Sequence, residues 1–231
     1  DDNFSTIVNA VSEGRNIYNK IIKSTRYLLS CNVGEVVLIF SSIMMNLPLP
    51  LLPLQLLLMN LVTDGLPALA LTTEKSEPDV MKKAPRNPKE NPINKSMLYL
   101  ILIFGILMGI CSMLLFRYYY NATQNLAYSQ TIAFSTLVLL EMFAVFGNRS
   151  FIPFGDLNLF SNKWVVLSVL SSISIQLLVI YWEPAQKIFG TVAIGIVDWL
   201  LIIGLSFVGF IIAELSKLLG KLKAPSTITA S

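Results

Sequence analysis

Six apolar runs, each long enough or nearly long enough to cross a hydrocarbon layer, divide this chain: Leu28 to Leu47, about Leu54 to Leu71, Met97 to Tyr119, Thr131 to Phe146, Lys163 to Trp182 and about Gly195 to Leu219. A spanning helix needs roughly 17 to 25 predominantly apolar residues. The fourth run is the shortest. Of the 231 residues, 54% are hydrophobic and 13% are charged. An ordinary soluble domain carries about 25% charge, so these residues cannot build the water-facing surface of a globule. A soluble enzyme is excluded. Within hydrocarbon every backbone polar group must find a partner inside the protein. The runs therefore predict an all-α polytopic membrane bundle of six transmembrane helices.

The segment before the first run is polar but periodic. Phe4, Ile7, Val8, Val11, Tyr18, Ile21 and Ile22 recur at helical spacing, which predicts an amphipathic cytosolic stalk helix over residues 1–27 that runs into the membrane. The membrane domain then covers 28–219, and 220–231 reads as a disordered tail. Pro48, Pro50 and Pro53 mark a hairpin between the first two runs. Thr72 to Lys95 reads as a polar loop, and so do Gly147 to Asn162 and the short segment Asn121 to Gln130. With the N-terminus in the cytoplasm, 15 of the 17 Lys and Arg residues fall on the inside. That asymmetry places both termini there. It also explains the net charge of +3 better than a nucleic acid does; the partner is the lipid bilayer. Trp164, Trp182, Trp199 and Tyr118 to Tyr120 sit near span ends, as interfacial anchors should. Lys82, Lys83, Arg86 and Lys89 form a basic loop that is either a plain positive-inside segment or a contact for anionic lipid. The chain opens Asp1-Asp2-Asn3-Phe4, with no Met and no signal segment, and reads as a fragment of something longer.

Histidine is absent, which excludes His-based metal sites and catalytic His dyads or triads. Cys31 and Cys111 have neither metal-site spacing nor a disulfide framework. Three carboxylates lie inside apolar runs: Glu35, Asp64 and Glu141. A charge at mid-membrane costs at least ~2.5–3.5 kcal/mol on insertion scales. Each must be protonated, face water or share a cation, and no Lys or Arg lies mid-span to pair them. Asn32 shares a helical face with Glu35, and Asn60 and Thr63 share one with Asp64. These oxygens suit Ca²⁺, which takes 6 to 8 of them in flexible geometry, better than Mg²⁺, which keeps its waters. Soft metals would want sulfur. Cys31 is next to Asn32 but about 100° around the helix, and reads as a small buried apolar residue. Gly65 and Pro67 beside Asp64 predict a loosened helix with freed carbonyls, a common way to build an intramembrane ion site. Asp156, Glu183, Asp198 and Glu214 read as structural acids. The last two lie near the ends of the sixth run, within reach of water or headgroups.

The motifs resemble a known family. Asp-Asp-Asn-Phe-Ser-Thr-Ile-Val (1–8), Glu-Gly-Arg (13–15) with Ile17-Tyr18, and Tyr-Leu-Leu-Ser-Cys-Asn-Val-Gly-Glu-Val (27–36) look like the stalk and fifth membrane helix of P-type ATPases. Asn-Leu-Val-Thr-Asp-Gly-Leu-Pro-Ala (60–68) is similar to the sixth helix of the calcium-pumping branch, and Pro85 to Glu90 to the loop that follows it. The resemblance implies that Asn32, Glu35, Asn60, Thr63, Asp64 and Glu141 fall on calcium-coordinating positions. Acids at both 35 and 141 resemble the two-site, reticulum-type pumps. The short, cysteine-free 121–130 segment resembles a prokaryotic version. The family's Asp-Lys-Thr-Gly-Thr and Gly-Asp-Gly motifs are absent from this chain. By resemblance, ATP and Mg²⁺ would act only through cytosolic domains outside it, and the partners would be those domains and the N-terminal half of the pump.

The expected function is thus the cation-transport module of an ATP-driven Ca²⁺ pump, and whether this chain is itself an enzyme stays open. Two rivals remain: a secondary cation transporter or channel that uses the same site without ATP, and a non-catalytic truncated half that binds a partner pump. The size of the native polypeptide separates them. An immunoblot of source membranes against the Thr72 to Lys95 loop is expected to show a band several times larger than the 25.7 kDa of this chain. A band near 25.7 kDa moves the rivals to the front.

Overall fold

The computed structural model describes residues 4–74, 81, 92–149 and 161–223, with side chains as far as 218. Lys82, Lys83, Arg86, Lys89 and Asp156 lie outside the described residues, as does the tail 224–231. Every regular element among the described residues is helical. Among the described residues six helical segments are long and apolar enough to cross a membrane, and the chain is an integral multi-pass membrane protein.

The stalk and the first span form one helix, α1 (Phe4–Met44, 41 residues). At 1.5 Å per residue it is about 60 Å long, roughly twice the hydrocarbon thickness. No break in the backbone marks the boundary expected near Leu28. The helix stops at Met44, short of the expected Leu47, because Asn46 takes a left-handed conformation (φ 52°) and the Leu47 amide folds back to the Ser42 carbonyl at 3.0 Å. The Ser42 hydroxyl donates to the Pro48 carbonyl at 2.6 Å, so the turn satisfies its own polar groups.

The second span is not one continuous α-helix. It comprises α2 (Pro53–Leu58), a π-helical turn (Met59–Thr63) and α3 (Gly65–Thr72). In the π turn the Asp64 amide reaches back five residues to the Met59 carbonyl at 2.8 Å. Pro67 has no N–H and cannot bond the Thr63 carbonyl one turn back. That carbonyl accepts from the Ser172 hydroxyl instead, at 3.5 Å. The loosening expected from Gly65 and Pro67 is therefore a π turn immediately before Asp64.

The remaining elements are α4 (Lys95–Thr123), α5 (Leu126–Asn148), α6 (Lys163–Tyr181), the short α7 (Glu183–Phe189) and α8 (Ile196–Lys223). The α5 helix is the axis of the bundle. Its most apolar window is 83% buried, against 28% to 50% for the other spans. Helix α1 lies closely against α4 at glycines. A Cβ on Gly105 would stand 2.4 Å from Val33 Cγ1 and 2.8 Å from the Ser30 carbonyl oxygen, and one on Gly109 would stand 2.8 Å from the Gly34 carbonyl oxygen. The Gly105-x-x-x-Gly109 spacing lets two backbones approach, as small residues do in membranes.

Three expectations are corrected. The loop expected over Asn121 to Gln130 is only the pair Gln124-Asn125. Gln124 ends α4 in a left-handed conformation, and Asn125 caps α5 by accepting from the Tyr128 amide. Glu183 is not in a loop but opens α7, where it pairs with Lys187 at 2.8 Å on the surface. Asp198 and Glu214 do not reach water, being 8% and 2% exposed. Asp198 accepts from the hydroxyls of Tyr119 (2.6 Å) and Tyr128 and from the Gly195 amide (2.7 Å). Glu214 pairs with Lys217 at 2.5 Å.

The glycine contact sets a sign that helix propensity alone would reverse. Alanine is favoured over glycine in a helix by about 1 kcal/mol, whereas overpacking costs about 1–3 kcal/mol. Gly105→Ala is expected to lower the thermal midpoint in detergent. Gly204→Ala, with no atom within 4 Å of the added carbon, should hold or raise it. Equal shifts would contradict the close packing of α1 on α4.

Candidate metal centre

Three elements converge at mid-bundle: the apolar half of α1, the π turn with Asp64, and α5. On α1, Tyr27, Cys31 and Glu35 follow one another at steps of four residues and so share one face. Asp64 and Glu141 are 1% and 0% exposed. One ligand atom from each of Cys31, Asp64 and Glu141 lies within 4.8 Å of the others. Tyr27 donates its hydroxyl to Asp64 Oδ1 at 3.4 Å. Asp64 Oδ2 and both Glu141 oxygens have no hydrogen-bond partner among the described residues. A buried carboxylate left in that state is costly, and a shared cation or a proton removes the cost.

A second pair lies farther along α1. Asn60 donates through Nδ2 to both Glu35 oxygens, at 2.8 and 2.9 Å, and also to the Leu56 carbonyl of its own helix at 3.0 Å. Glu35 is buried and Asn60 exposed. Of the six expected ligands, the structure thus brings Asp64 to Glu141 and Glu35 to Asn60. Thr63 is buried next to Asp64, but its hydroxyl donates to the Met59 carbonyl at 3.2 Å. Asn32 stands apart on the exposed side of α1, where it bonds the Leu28 carbonyl at 3.0 Å. Reading the sequence missed Tyr27 and Cys31. Their four-residue spacing from Glu35 was the available signal.

Polar ties at the ends of α3 and α5, nearer the stalk, hold these elements in register. Glu74, just beyond α3, receives Arg149 Nη2 at 2.9 Å and Nε at 3.1 Å, and Asn162 Nδ2 at 3.1 Å. Arg149 also reaches the Ser161 hydroxyl. Arg26 on α1 donates to the Asn148 side chain at 2.6 Å and to its carbonyl at 3.0 Å. Ser24 donates to the Ala68 carbonyl at 2.8 Å. The helices that carry Cys31, Asp64 and Glu141 are therefore tied to one another. Burial alone would raise the Glu74 pKa. The hydrogen bonds from Arg149 and Asn162 and the nearby positive charge outweigh it and hold this carboxyl below its ordinary value.

The described residues thus form a bundle of six span-length helices that buries two carboxylates, three of their oxygens unpartnered among those residues, beside a broken helix. Residues 48–219 match the family described as cation transporting ATPase, C-terminus, and the chain belongs to that family. It is 49% identical over 207 residues to a calcium-transporting ATPase of Bacillus subtilis, covering 89% of this chain and 23% of that protein. It is 36% identical over 220 residues to the human calcium-transporting ATPase type 2C member 1 (94% and 24%). To an endoplasmic reticulum-type calcium-transporting ATPase 3 of Arabidopsis thaliana it is 33% identical over 254 residues (96% and 25%). The chain spans about a quarter of the length of the curated relatives it matches.

The Glu74 tie gives a pH signature. A carboxyl held low contributes stability that is present above its unfolded pKa and is lost as pH falls through its folded one. Glu74→Gln is expected to lower the thermal midpoint at neutral pH. The difference from the unsubstituted protein should shrink as the pH is taken below the ordinary glutamate range. A difference that is constant with pH would rule out an ionised Glu74.

Proposed function

We propose that this chain is the ion-translocating membrane part of an ATP-driven Ca²⁺ pump. The observation that carries the proposal is the Asp64–Glu141 pair: two buried carboxylates, three of whose oxygens have no hydrogen-bond partner among the described residues, set beside a π turn. The relatives, calcium-transporting ATPases by name, favour Ca²⁺ as the cargo. Asp64 and Glu141 hold one ion, with Thr63 adding a neutral oxygen. The buried Glu35 with the exposed Asn60 and Asn32 serve a second ion, as in a reticulum-type pump. ATP and Mg²⁺ act on cytosolic domains outside this chain, and those domains and an N-terminal membrane half are its partners. Both termini face the cytoplasm, as the distribution of Lys and Arg favours.

In this reading α1 carries motion from the cytosolic domains to the site. Its unbroken course from Phe4 to Met44 supports that role. Releasing and recapturing Ca²⁺ then amounts to moving Asp64 and Glu141 apart and together. The π turn is the element able to yield, because its backbone bonds are the irregular ones in the second span.

Equilibrium Ca²⁺ binding to the full-length protein tests the proposal. Asp64→Asn keeps the volume and removes the charge, and it is expected to weaken Ca²⁺ binding by about tenfold or more, on the scale seen when a metal site's supporting groups are lost. Unchanged binding would take the second span out of the site.

A further inference from the structure

Cys31 is the buried group at the centre that the calcium reading leaves unused. It is 0% exposed, a common fate for cysteine, and taken alone it would be one more small apolar residue. Its surroundings are not apolar. Its sulfur and one oxygen each from Asp64 and Glu141 lie within 4.8 Å of one another. Three atoms so spaced share a centre no farther than about 2.8 Å from each. Side-chain movement of a few tenths of an ångström brings them to the ~2.3–2.6 Å at which oxygen holds a cation of the size of Ca²⁺. Asp64 Oδ2 and both Glu141 oxygens at this centre have no hydrogen-bond partner among the described residues, which leaves three buried acceptors for a ligand.

The donor set is mixed. Carboxylates accept hard and borderline cations alike, whereas thiolate selects soft ones. We propose that the site also binds a thiophilic divalent cation, for which Cd²⁺ is the probe, through Cys31 Sγ together with Asp64 and Glu141, and that Cys31 sets the balance between hard and soft ions. The proposal rests on the reading of Asp64 and Glu141 as cation ligands. On binding, the Cys31 S–H bond breaks, its proton leaves to the buffer and an S–Cd bond forms. The metal keeps its oxidation state. Ca²⁺, a hard ion, gains little from the sulfur, so the two cations respond differently to its loss. Cys111 is the internal control. It is buried too, but it belongs to the α4 face beside Gly209 and is not part of the cluster.

The test is a Cd²⁺ titration of the full-length protein with thiols kept reduced, followed by the ultraviolet charge-transfer absorption of a cadmium–thiolate bond, with Ca²⁺ as competitor. In the unsubstituted protein the band is expected to saturate and to be displaced by Ca²⁺. Cys31→Ser should abolish it and weaken Cd²⁺ binding by about tenfold or more. Its ratio of Cd²⁺ to Ca²⁺ affinity should fall by about tenfold or more, while retained Ca²⁺ binding and an unshifted thermal midpoint report that the variant is folded. Cys31→Ala should behave in the same way, and Cys111→Ser should keep the band. A band that survives Cys31→Ser, or Cd²⁺ affinity unchanged by it while Ca²⁺ still binds, overturns the inference and leaves the calcium reading standing. Failure of the unsubstituted protein to bind Ca²⁺ overturns that reading, and this inference with it.

Discussion

Two carboxylates buried in the middle of an apolar bundle are the constraint on which the rest of this structure depends. Asp64 and Glu141 are sealed from solvent, and three of their four oxygens have no partner among the described residues. A carboxylate in such a setting is tolerated only when something outside the covalent structure neutralises it. The surrounding architecture serves that situation. The most buried helix carries one acid, and the only π turn among the described residues ends at the other.

An unsatisfied pair of like groups would push its helices apart if nothing held them. The polar ties at the stalk-side ends of α3 and α5 oppose that tendency. Arg149 on Glu74 joins the far ends of α3 and α5, Asn162 on Glu74 joins α3 to the start of α6, and Arg26 on Asn148 joins α1 to the same end of α5. At the opposite ends, Gln130 donates to the Leu49 carbonyl at 2.8 Å and Gln55 to the Phe189 carbonyl at 3.0 Å. The side chains in these ties are buried and costly to leave unpaired, so each fixes the relative position of the two segments it joins. Between the two sets of ties lies the π turn.

Much of this was legible in the sequence. The six spans follow from run lengths alone, and acids at 64 and 141 stand out because an apolar run has no bland use for them. Asp64 was further marked by Gly65 and Pro67. What could not be read depends on partners distant along the chain. Asp198 looked accessible because Tyr119 and Tyr128, which accompany it, lie in other spans. The Asn121 to Gln130 stretch is polar enough to pass for a loop, yet one left-handed residue and one cap reduce it to a two-residue turn. Cys31 was set aside by its neighbour: Asn32 drew attention to the face of α1 that turns out to be exposed, and Cys31 sits on the buried one.

An unbroken α1 would act as a lever if its ties at Ser24 and Arg26 were released. If the rod pivots where Gly34 lies against α4, Phe4 is 30 residues and Cys31 three residues from the fulcrum, or about 45 Å and about 4.5 Å along the axis. A rigid swing is then reduced about tenfold between its ends. A sweep of about 10 Å at the stalk tip becomes a shift of about 1 Å beside Asp64 and Glu141, which is the scale on which a coordination sphere is opened or closed. The same ratio runs in reverse for force, so a modest push at the tip arrives at the carboxylates multiplied.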